Sequence, residues 1–100
     1  MNVPWIGLCE VKPLPGNDSL AGATGAFVNI VALAKDAEDF EMKTRAIMED
    51  YDFVVLSIGD IGTIEERESH HEIVRELAQL ASSLTEESPV QFDEFQAYEQ

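Results

Sequence analysis

The sequence from residue 26 to residue 60 constrains the fold more than any other stretch, because it predicts a strand, a helix and a second strand in that order. Both predicted strands, residues 27–34 and 53–59, carry apolar side chains on both sides of their alternation, whereas the segment between them has helical spacing. Strands that are apolar on both sides are typical of parallel sheets covered on both faces. We therefore predict a parallel strand-helix-strand unit at the centre of the chain.

The central helix of this unit has clear capping signals. Asp36 is in position to accept hydrogen bonds from the first turn, and Asp39 stands three residues later, in the reciprocal position of a capping box. The stripe at helical spacing that we expect to face the core comprises Ala37, Phe40, Thr44, Ile47 and Met48. The helix should therefore pack one face against the sheet.

The remaining elements are predicted on either side of this unit. Residues 3–12 predict a first strand bracketed by Pro4 and Pro13, and residues 13–25 predict a long loop. Ser69 with Glu72 three residues later fits a second capping box, so we place the start of the second helix there. Residues 90–98 predict a last, less regular strand, whose alternation requires either a bulge or partial cover on both faces.

The resulting order is strand, strand, helix, strand, helix, strand. From it we predict a single α+β domain over residues 1–100, a two-layer sandwich in which a four-stranded mixed sheet carries both helices on one face. This is a variant of the ferredoxin-like plait, and the right-handed crossover rule puts both helices on the same side. The opposite face would carry many apolar side chains, so we also hypothesise a homodimer through this open sheet face.

Net charge is the most unusual compositional feature of the chain. Its 20 Asp and Glu residues against 6 Lys and Arg residues give a formal net charge of −14. Binding to nucleic acid is disfavoured because it depends on Lys and Arg contacts to phosphate, and an anionic membrane surface is disfavoured for the same reason. Two interpretations stay open: the charge keeps the protein dispersed, or it forms a surface that meets a basic protein partner.

The single cysteine and the first residues of the chain bear on its compartment. Cys9 has no second cysteine to pair with and sits in an apolar segment, which predicts a buried, reduced and inert thiol. The first thirteen residues lack the basic start and apolar block of a secretion signal, and no apolar run approaches the roughly 20 residues of a membrane span. We therefore expect a cytoplasmic protein.

The sequence contains no recognisable catalytic motif. The glycines of residues 22–25 precede a strand instead of joining a strand to a helix, which argues against a phosphate-binding loop. Ser57 lacks the flanking glycines of a nucleophile elbow, and acid pairs have little specificity in so acidic a chain. We expect no cofactor, assign no catalytic residue and favour a non-enzymatic role.

The connection that follows the third predicted strand is a candidate binding site. Ligands of sheets with parallel strands tend to lie beyond the carboxyl ends of the strands. The segment that follows the third strand brings together both charge signs and both histidines of the chain, at Asp60, Thr63, Arg67, His70 and His71. We predict a ligand-binding or partner-binding site here, with an ordinary polar connection as the alternative.

The two adjacent histidines raise the question of a metal. Neighbouring residues on a helix point about 100° apart, so the two imidazoles would not share a face, and no His-Glu-x-x-His spacing is present. One histidine with neighbouring carboxylates is still a conceivable ligand set, and the alternative is an exposed first helical turn. We therefore assign no metal ligand.

These features favour a small acidic, non-catalytic protein-interaction domain that binds a basic protein partner. Small acidic inhibitor and immunity proteins, which neutralise basic toxins, resemble this chain in size and charge only. The main alternative is a small dimeric enzyme or small-molecule binder, with its pocket at the connection after the third strand, completed by the loop of residues 13–25. A structural subunit of a larger assembly is a third reading.

Overall fold

The fold is seen in a computed structural model, which describes residues 2–70 and 75–98. The strands are β1 (Val3–Pro13), β2 (Gly25–Ala34), β3 (Phe53–Thr63), β4 (Val90–Phe92) and β5 (Gln96–Tyr98). The helices are α1 (Ala37–Asp50), α2 (Ile64–His70) and α3 (Arg75–Ser82). The predicted α+β class is confirmed.

The sheet differs from the predicted mixed sheet of four strands. It has five strands in the order β3-β1-β2-β4, with β5 also paired to β2, and every pair in the described part of the chain is antiparallel. The strands β2 and β3 run in the same direction, as predicted, but β1 lies between them. The prediction of a mixed sheet was wrong, because alternation along a strand predicts its burial and does not identify its neighbours.

The capping box predicted for α1 is confirmed with one change of partner. The Oδ1 atom of Asp36 accepts a hydrogen bond from the backbone N–H of Asp39 at 2.8 Å. The Oδ2 atom of Asp39 accepts from the N–H of Lys35 at 3.0 Å instead of from the cap residue itself. This backbone hydrogen bond, followed by the contact with Lys43, holds the pKa of Asp39 below its usual value. The start of α1 is therefore determined by local chemistry.

The register between β1 and β2 assigns their side chains to two faces of the sheet. Cys9 lies opposite Val28, and Ile6 lies opposite Val31, without any register shift between the two pairs. Because successive side chains of a strand point to opposite faces, these two pairs project in opposite directions. We call the side of Cys9 and Val28 the α1 face, and the side of Ile6 and Val31 the α3 face, after the helices that cover them.

The helix α1 covers the α1 face. Its Phe40 and Met48 side chains are fully buried and pack in one cluster with Cys9 and Val28. Gly7 lies beneath the ring of Phe40, and a Cβ atom at Gly7 would lie 2.8 Å from the Cε2 atom of that ring. The absence of a side chain at this position lets α1 approach the sheet closely.

The helices α2 and α3 cover the opposite face. Ile64 of α2 and Leu77 of α3 pack against Ile6 and Val31 in a separate buried cluster. The prediction that both helices lie on one face is therefore wrong, and the protein has three layers instead of two. The right-handed rule applies to connections between parallel strands, whereas β3 and β4 run antiparallel, so the rule does not choose the face here.

The cover of the α3 face is partial. Phe27 and Val54 both project from this face, since each lies opposite an even-numbered residue of β1, and they are 39% and 37% exposed. The face expected to be open is thus covered at the end that contains Ile6 and less covered at the other end. The homodimer stays a prediction, and it now concerns only the uncovered part of this face.

The predicted last strand is interrupted. The strands β4 and β5 both pair with β2, and the segment 93–95 between them leaves the regular ladder. The carboxylate of Asp93 accepts hydrogen bonds from the backbone N–H and from the side-chain amide of Asn29, each at 2.9 Å. Asn29, the polar residue of β2, is therefore satisfied within the sheet. No helix in the described part of the chain has the length and apolar character needed to cross a membrane.

Candidate functional site

The predicted site begins at a bulge in β3. Asp60 has a φ of 53°, in the left-handed region, and the register between β1 and β3 shifts at this point, between Ile6 and Leu8. The Nη2 atom of Arg67 donates a hydrogen bond to the backbone carbonyl of Asp60. Arg67 therefore contacts the bulge from the first turns of α2, and part of its hydrogen-bonding capacity is used inside the fold.

Thr63 acts as the cap of α2. Its Oγ1 atom accepts a hydrogen bond from the backbone N–H of Glu66 at 3.1 Å and donates one to the Oε1 atom of the same residue at 3.0 Å. The second helical segment therefore starts at Ile64, and the predicted start at Ser69 was wrong. Thr63 and Glu66 have the same spacing as Ser69 and Glu72, so the sequence contained this signal six residues earlier.

The two histidines complete the predicted set only in part. His70 is the last residue of α2, and its side chain is not among those that the structure describes; His71 lies outside the described residues. The structure thus brings Asp60, Thr63 and Arg67 into one short connection. Among the described side chains, no group of three His, Cys, Asp or Glu residues is arranged to hold a metal ion. A ligand site at this connection stays a prediction.

The loop between β1 and β2 lies far from that connection. Pro13 is opposite Phe53, whereas Trp5 is opposite Thr63, so the loop and the connection lie at opposite ends of β1. Eight residues of extended chain span about 26 Å. The loop of residues 13–25 and the connection after β3 therefore do not form one pocket.

The same loop is instead attached to the end of α1. The Nδ2 atom of Asn17 donates to the carbonyls of Tyr51 and Asp52 at 3.1 and 2.8 Å. Its Oδ1 atom accepts from the backbone N–H of Ser19 at 3.0 Å. Both carbonyls follow the last residue of α1, and that of Asp52 also accepts from the N–H of Leu14 at 2.9 Å, so the loop is fixed to the turn between α1 and β3. The length of this loop has a structural explanation.

A groove that the sequence did not predict lies between α1 and β4. It is lined by Ile47 of α1, by the C-cap residue Tyr51 and by residues 87–92. The Tyr51 side chain is 54% exposed, and its ring meets the ring of Phe92 edge-on, with centroids 5.4 Å apart. A partly exposed aromatic ring held by a second ring is a typical anchor for a partner side chain.

A second groove lies on the other side of β4, against α3. Its lining consists of Gln79, Leu80, Ser83, Phe92, Asp93, Glu94 and Gln96. Phe92 is shared with the first groove, so the two grooves flank the same short strand. Both linings contain acidic side chains, and neither contains a lysine or an arginine among its described residues.

The backbone of β4 is free on the side that faces away from β2. The N–H of Leu33 donates to the carbonyl of Pro89 at 2.8 Å, and the N–H of Asp93 donates to the carbonyl of Asn29 at 3.2 Å. In an antiparallel pair, residues direct their backbone groups alternately towards and away from the partner strand. Val90 and Phe92 therefore direct their backbone N–H and C=O groups outward, and no described strand pairs with these groups. We call this strand edge, with its two flanking grooves, the β4 edge.

The charged residues next to β4 in the sequence are acidic, and the one cation shown near its start, Lys43, donates to the carbonyl of Leu33 at 2.7 Å. Glu86 and Glu87 are exposed immediately before β4, and Glu94 is exposed after it. Among the described side chains of the whole protein, one ion pair is present, between Lys43 and Asp39 at 3.1 Å. The negative charge at the β4 edge therefore has no neutralising cation in its described lining.

Two further groups with chemical potential are occupied by structural roles. Burial raises the pKa of the Cys9 thiol to about 11, so it is protonated at neutral pH and a poor nucleophile. The phenol of Tyr98 donates to the Oε2 atom of Glu10 at 2.5 Å, and this hydrogen bond raises the pKa of Tyr98. Gly25 lies beneath that phenol, where a Cβ atom would be 2.5 Å from its oxygen. The Tyr98 contact joins β5 to β1 across β2.

Comparisons with protein-family models, with curated proteins and with solved structures found no match to this chain.

Proposed function

We propose that this protein is a non-catalytic interaction domain that binds a basic protein partner through its acidic surface. The observation that carries the proposal is the large excess of exposed carboxylates over cations, with one ion pair among the described side chains. Carboxylates that have no cation beside them add to the negative potential around the protein. A partner with a complementary basic surface would be attracted over long distances and oriented before contact.

The alternative function, a small-molecule or catalytic site after β3, has weaker support. Thr63 caps α2 and Arg67 bonds the carbonyl of Asp60, so two of the predicted site residues have a sufficient structural explanation. Cys9 is buried and protonated, which removes the single thiol from the list of nucleophiles. The interaction domain is therefore the function that the geometry supports better.

Affinity capture from native lysate, with identification of the retained proteins by mass, tests the proposal. We expect the retained partners to be basic and to be released when salt is raised from roughly 0.1 M to about 1 M, because the screening length falls from about 10 Å to about 3 Å. A matched bait, in which the exposed residues Glu86, Glu87 and Glu94 are changed to Gln, should retain less of the same partners. Partners that are acidic, or that stay bound equally at both salt concentrations, would contradict the proposal.

A further inference from the structure

We propose that the β4 edge binds an extended, basic segment of the partner as an added strand, with an apolar side chain of that segment seated in the groove beside Tyr51. The proposal rests on the function proposed above for the sign of the partner's charge. Its placement on the protein depends on separate observations, which are the free backbone of β4, the apolar groove and the acidic flanks.

The free backbone supplies the first part of the recognition. The outward N–H and C=O groups of Val90 and Phe92 are spaced as in any antiparallel ladder, so a partner strand can pair with both residues. Addition of an extended peptide to a sheet edge is a common mode of peptide recognition, in which main-chain hydrogen bonds provide affinity and side-chain grooves provide specificity. The β4 edge offers both in one place.

The groove between α1 and β4 supplies an anchor. A strand added beside β4 would lie along Ile47 and Tyr51, so an apolar side chain on its α1 side would contact the exposed ring of Tyr51. Aromatic residues at the centre of an interface contribute a large share of its binding energy. The edge contact between the rings of Tyr51 and Phe92 restricts the anchor before the partner arrives.

The acidic residues beside β4 favour a basic ligand. Glu87 and Glu94 lie at the two ends of the edge, so a lysine or arginine side chain near either end of an added strand can reach a carboxylate. A second copy of this chain would bring its own acidic residues to the same place and add a further charge of −14. Like charges across an interface are unfavourable, so a basic segment of another protein fits the edge better than a second copy does.

The opposite edge of the sheet, β3, is a less suitable receptor for a basic strand. Its pairing with β1 contains two register shifts, which twist a strand and interrupt regular pairing. At one of these shifts the Arg67 guanidinium already donates to the backbone carbonyl of Asp60. The irregular pairing of β3 therefore distinguishes the two edges.

The probe for the test is a capped seven-residue peptide of alternating lysine and valine, titrated into the full chain labelled with nitrogen-15 at low salt. We expect the largest amide shifts at Val90, Phe92 and Tyr51, together with slower hydrogen exchange at the two β4 residues. The same peptide with its backbone nitrogens methylated on one edge keeps its charge and cannot pair as a strand. We expect the methylated peptide to bind at least about tenfold more weakly.

Matched variants test the two other parts of the site. Tyr51→Ala should weaken binding of the unmethylated peptide by about tenfold or more. Met42→Ala, at a 62% exposed position of α1, should leave the affinity for this peptide unchanged. Glu87→Gln should weaken binding by a few-fold and reduce its salt dependence, and Glu65→Gln, an exposed glutamate of α2, serves as its control. Spectra of each free variant establish that it is folded.

Three results would overturn the placement. They are equal binding of the methylated and unmethylated peptides, shifts centred on Val54 and Leu56 of β3, and absence of binding at low salt. In the first two cases a basic ligand still binds, so the proposed function survives and only its location is wrong. If the lysate capture also retains no basic protein, the proposed function fails together with the site.

Discussion

The two faces of the central sheet are built from the same strands, yet they are covered to different extents. On the α1 face, the 14-residue helix α1 buries Phe40 and Met48 completely against β1, β2 and β3. On the α3 face, Ile64 of α2 and Leu77 of α3 cover the end of the sheet near Ile6, whereas Phe27 at the other end is 39% exposed. The apolar stripe of α1 therefore closes its face, whereas the described residues of α2 and α3 cover theirs only in part.

This difference indicates which parts of the molecule stabilise the fold and which are available for binding. The α1 face contains the larger buried cluster, so we expect it to supply most of the hydrophobic stabilisation, which scales with buried apolar area. The α3 face and the β4 edge keep exposed groups that are available to a partner. A change on the α1 face should therefore affect unfolding strongly, and comparable changes on the α3 face should affect it less.

The largest effect is expected for Phe40→Ala. Removing the ring leaves a cavity above Gly7 that the rigid β-sheet cannot fill, and such changes cost about 3–5 kcal/mol of the free energy of unfolding. Urea denaturation monitored by circular dichroism measures the loss. Met42→Ala, on the exposed side of the same helix, is the control and should change stability by less than about 0.5 kcal/mol.

A smaller loss, of about 2–3 kcal/mol, is expected for Leu77→Ala on the α3 face. Leu77 packs against Ile6 and Val31, and the cost of such truncations lies at the lower end of the range where the surroundings can relax. The same denaturation experiment, performed in parallel with Phe40→Ala, gives the comparison directly. A loss equal to that of Phe40→Ala would show that the two faces contribute equally, against our interpretation.

The Cys9 thiol provides a test of the α1 face by pH. Its pKa is raised by burial from 9.0 to about 11, so the folded protein holds this proton more tightly than the unfolded chain does. The contribution to stability is therefore complete below about pH 9 and is lost as the pH rises from 9 to 11, by up to about 1.4 kcal/mol per pH unit.

The variant Cys9→Ala isolates this contribution from the titration of the tyrosines. We expect the free energy of unfolding of the wild-type protein to fall faster than that of Cys9→Ala between pH 9 and pH 11. Chemical denaturation at several pH values measures both slopes. Parallel slopes would mean that the thiol is accessible to water, and hence that the α1 face is not closed at Cys9.

The smallest effect is expected for Tyr98→Phe on the α3 face. The hydrogen bond from the phenol to Glu10 raises the pKa of Tyr98, so this bond stabilises the fold at neutral pH and is lost as the pH rises through the raised value. Tyr98→Phe should therefore be slightly less stable than the wild-type protein near pH 7, and the difference should disappear at strongly alkaline pH. A difference that is independent of pH would show that the ring, and not its hydroxyl, stabilises β5.

The sequence predicted the elements near its centre well. The capping pattern at Asp36 and the stripe through Phe40 and Met48 placed α1, and both strands beside it were found, although β3 continues beyond the predicted residue 59 to Thr63. The second helix was placed too late because two capping boxes, at Thr63 and at Ser69, follow each other and the earlier one begins α2. Local signals alone do not choose between two valid starts.

The candidate site was predicted less well. Asp60, Thr63 and Arg67 do lie together, as their nearness in sequence required, but their observed contacts are internal. The β4 edge was missed because it depends on contacts between distant segments. The ring of Tyr51, at the C-cap of α1, contacts the ring of Phe92 in β4. The carboxylate of Asp93 accepts a hydrogen bond from the backbone N–H of Asn29 in β2. No short-range pattern contains information on such pairs.

The strand-helix-strand stretch of residues 26–60 shows what the sequence and the tertiary structure each determine. The sequence by itself determined that residues 26–60 form these elements, that α1 begins after Asp36 and that the protein is strongly acidic, because alternation, capping and charge act over a few residues. Only the tertiary structure decided that β1 lies between β2 and β3, that α1 and α3 cover opposite faces and that β4 keeps a free edge. These features depend on which apolar faces meet in space, and several pairings satisfy the same local pattern equally well.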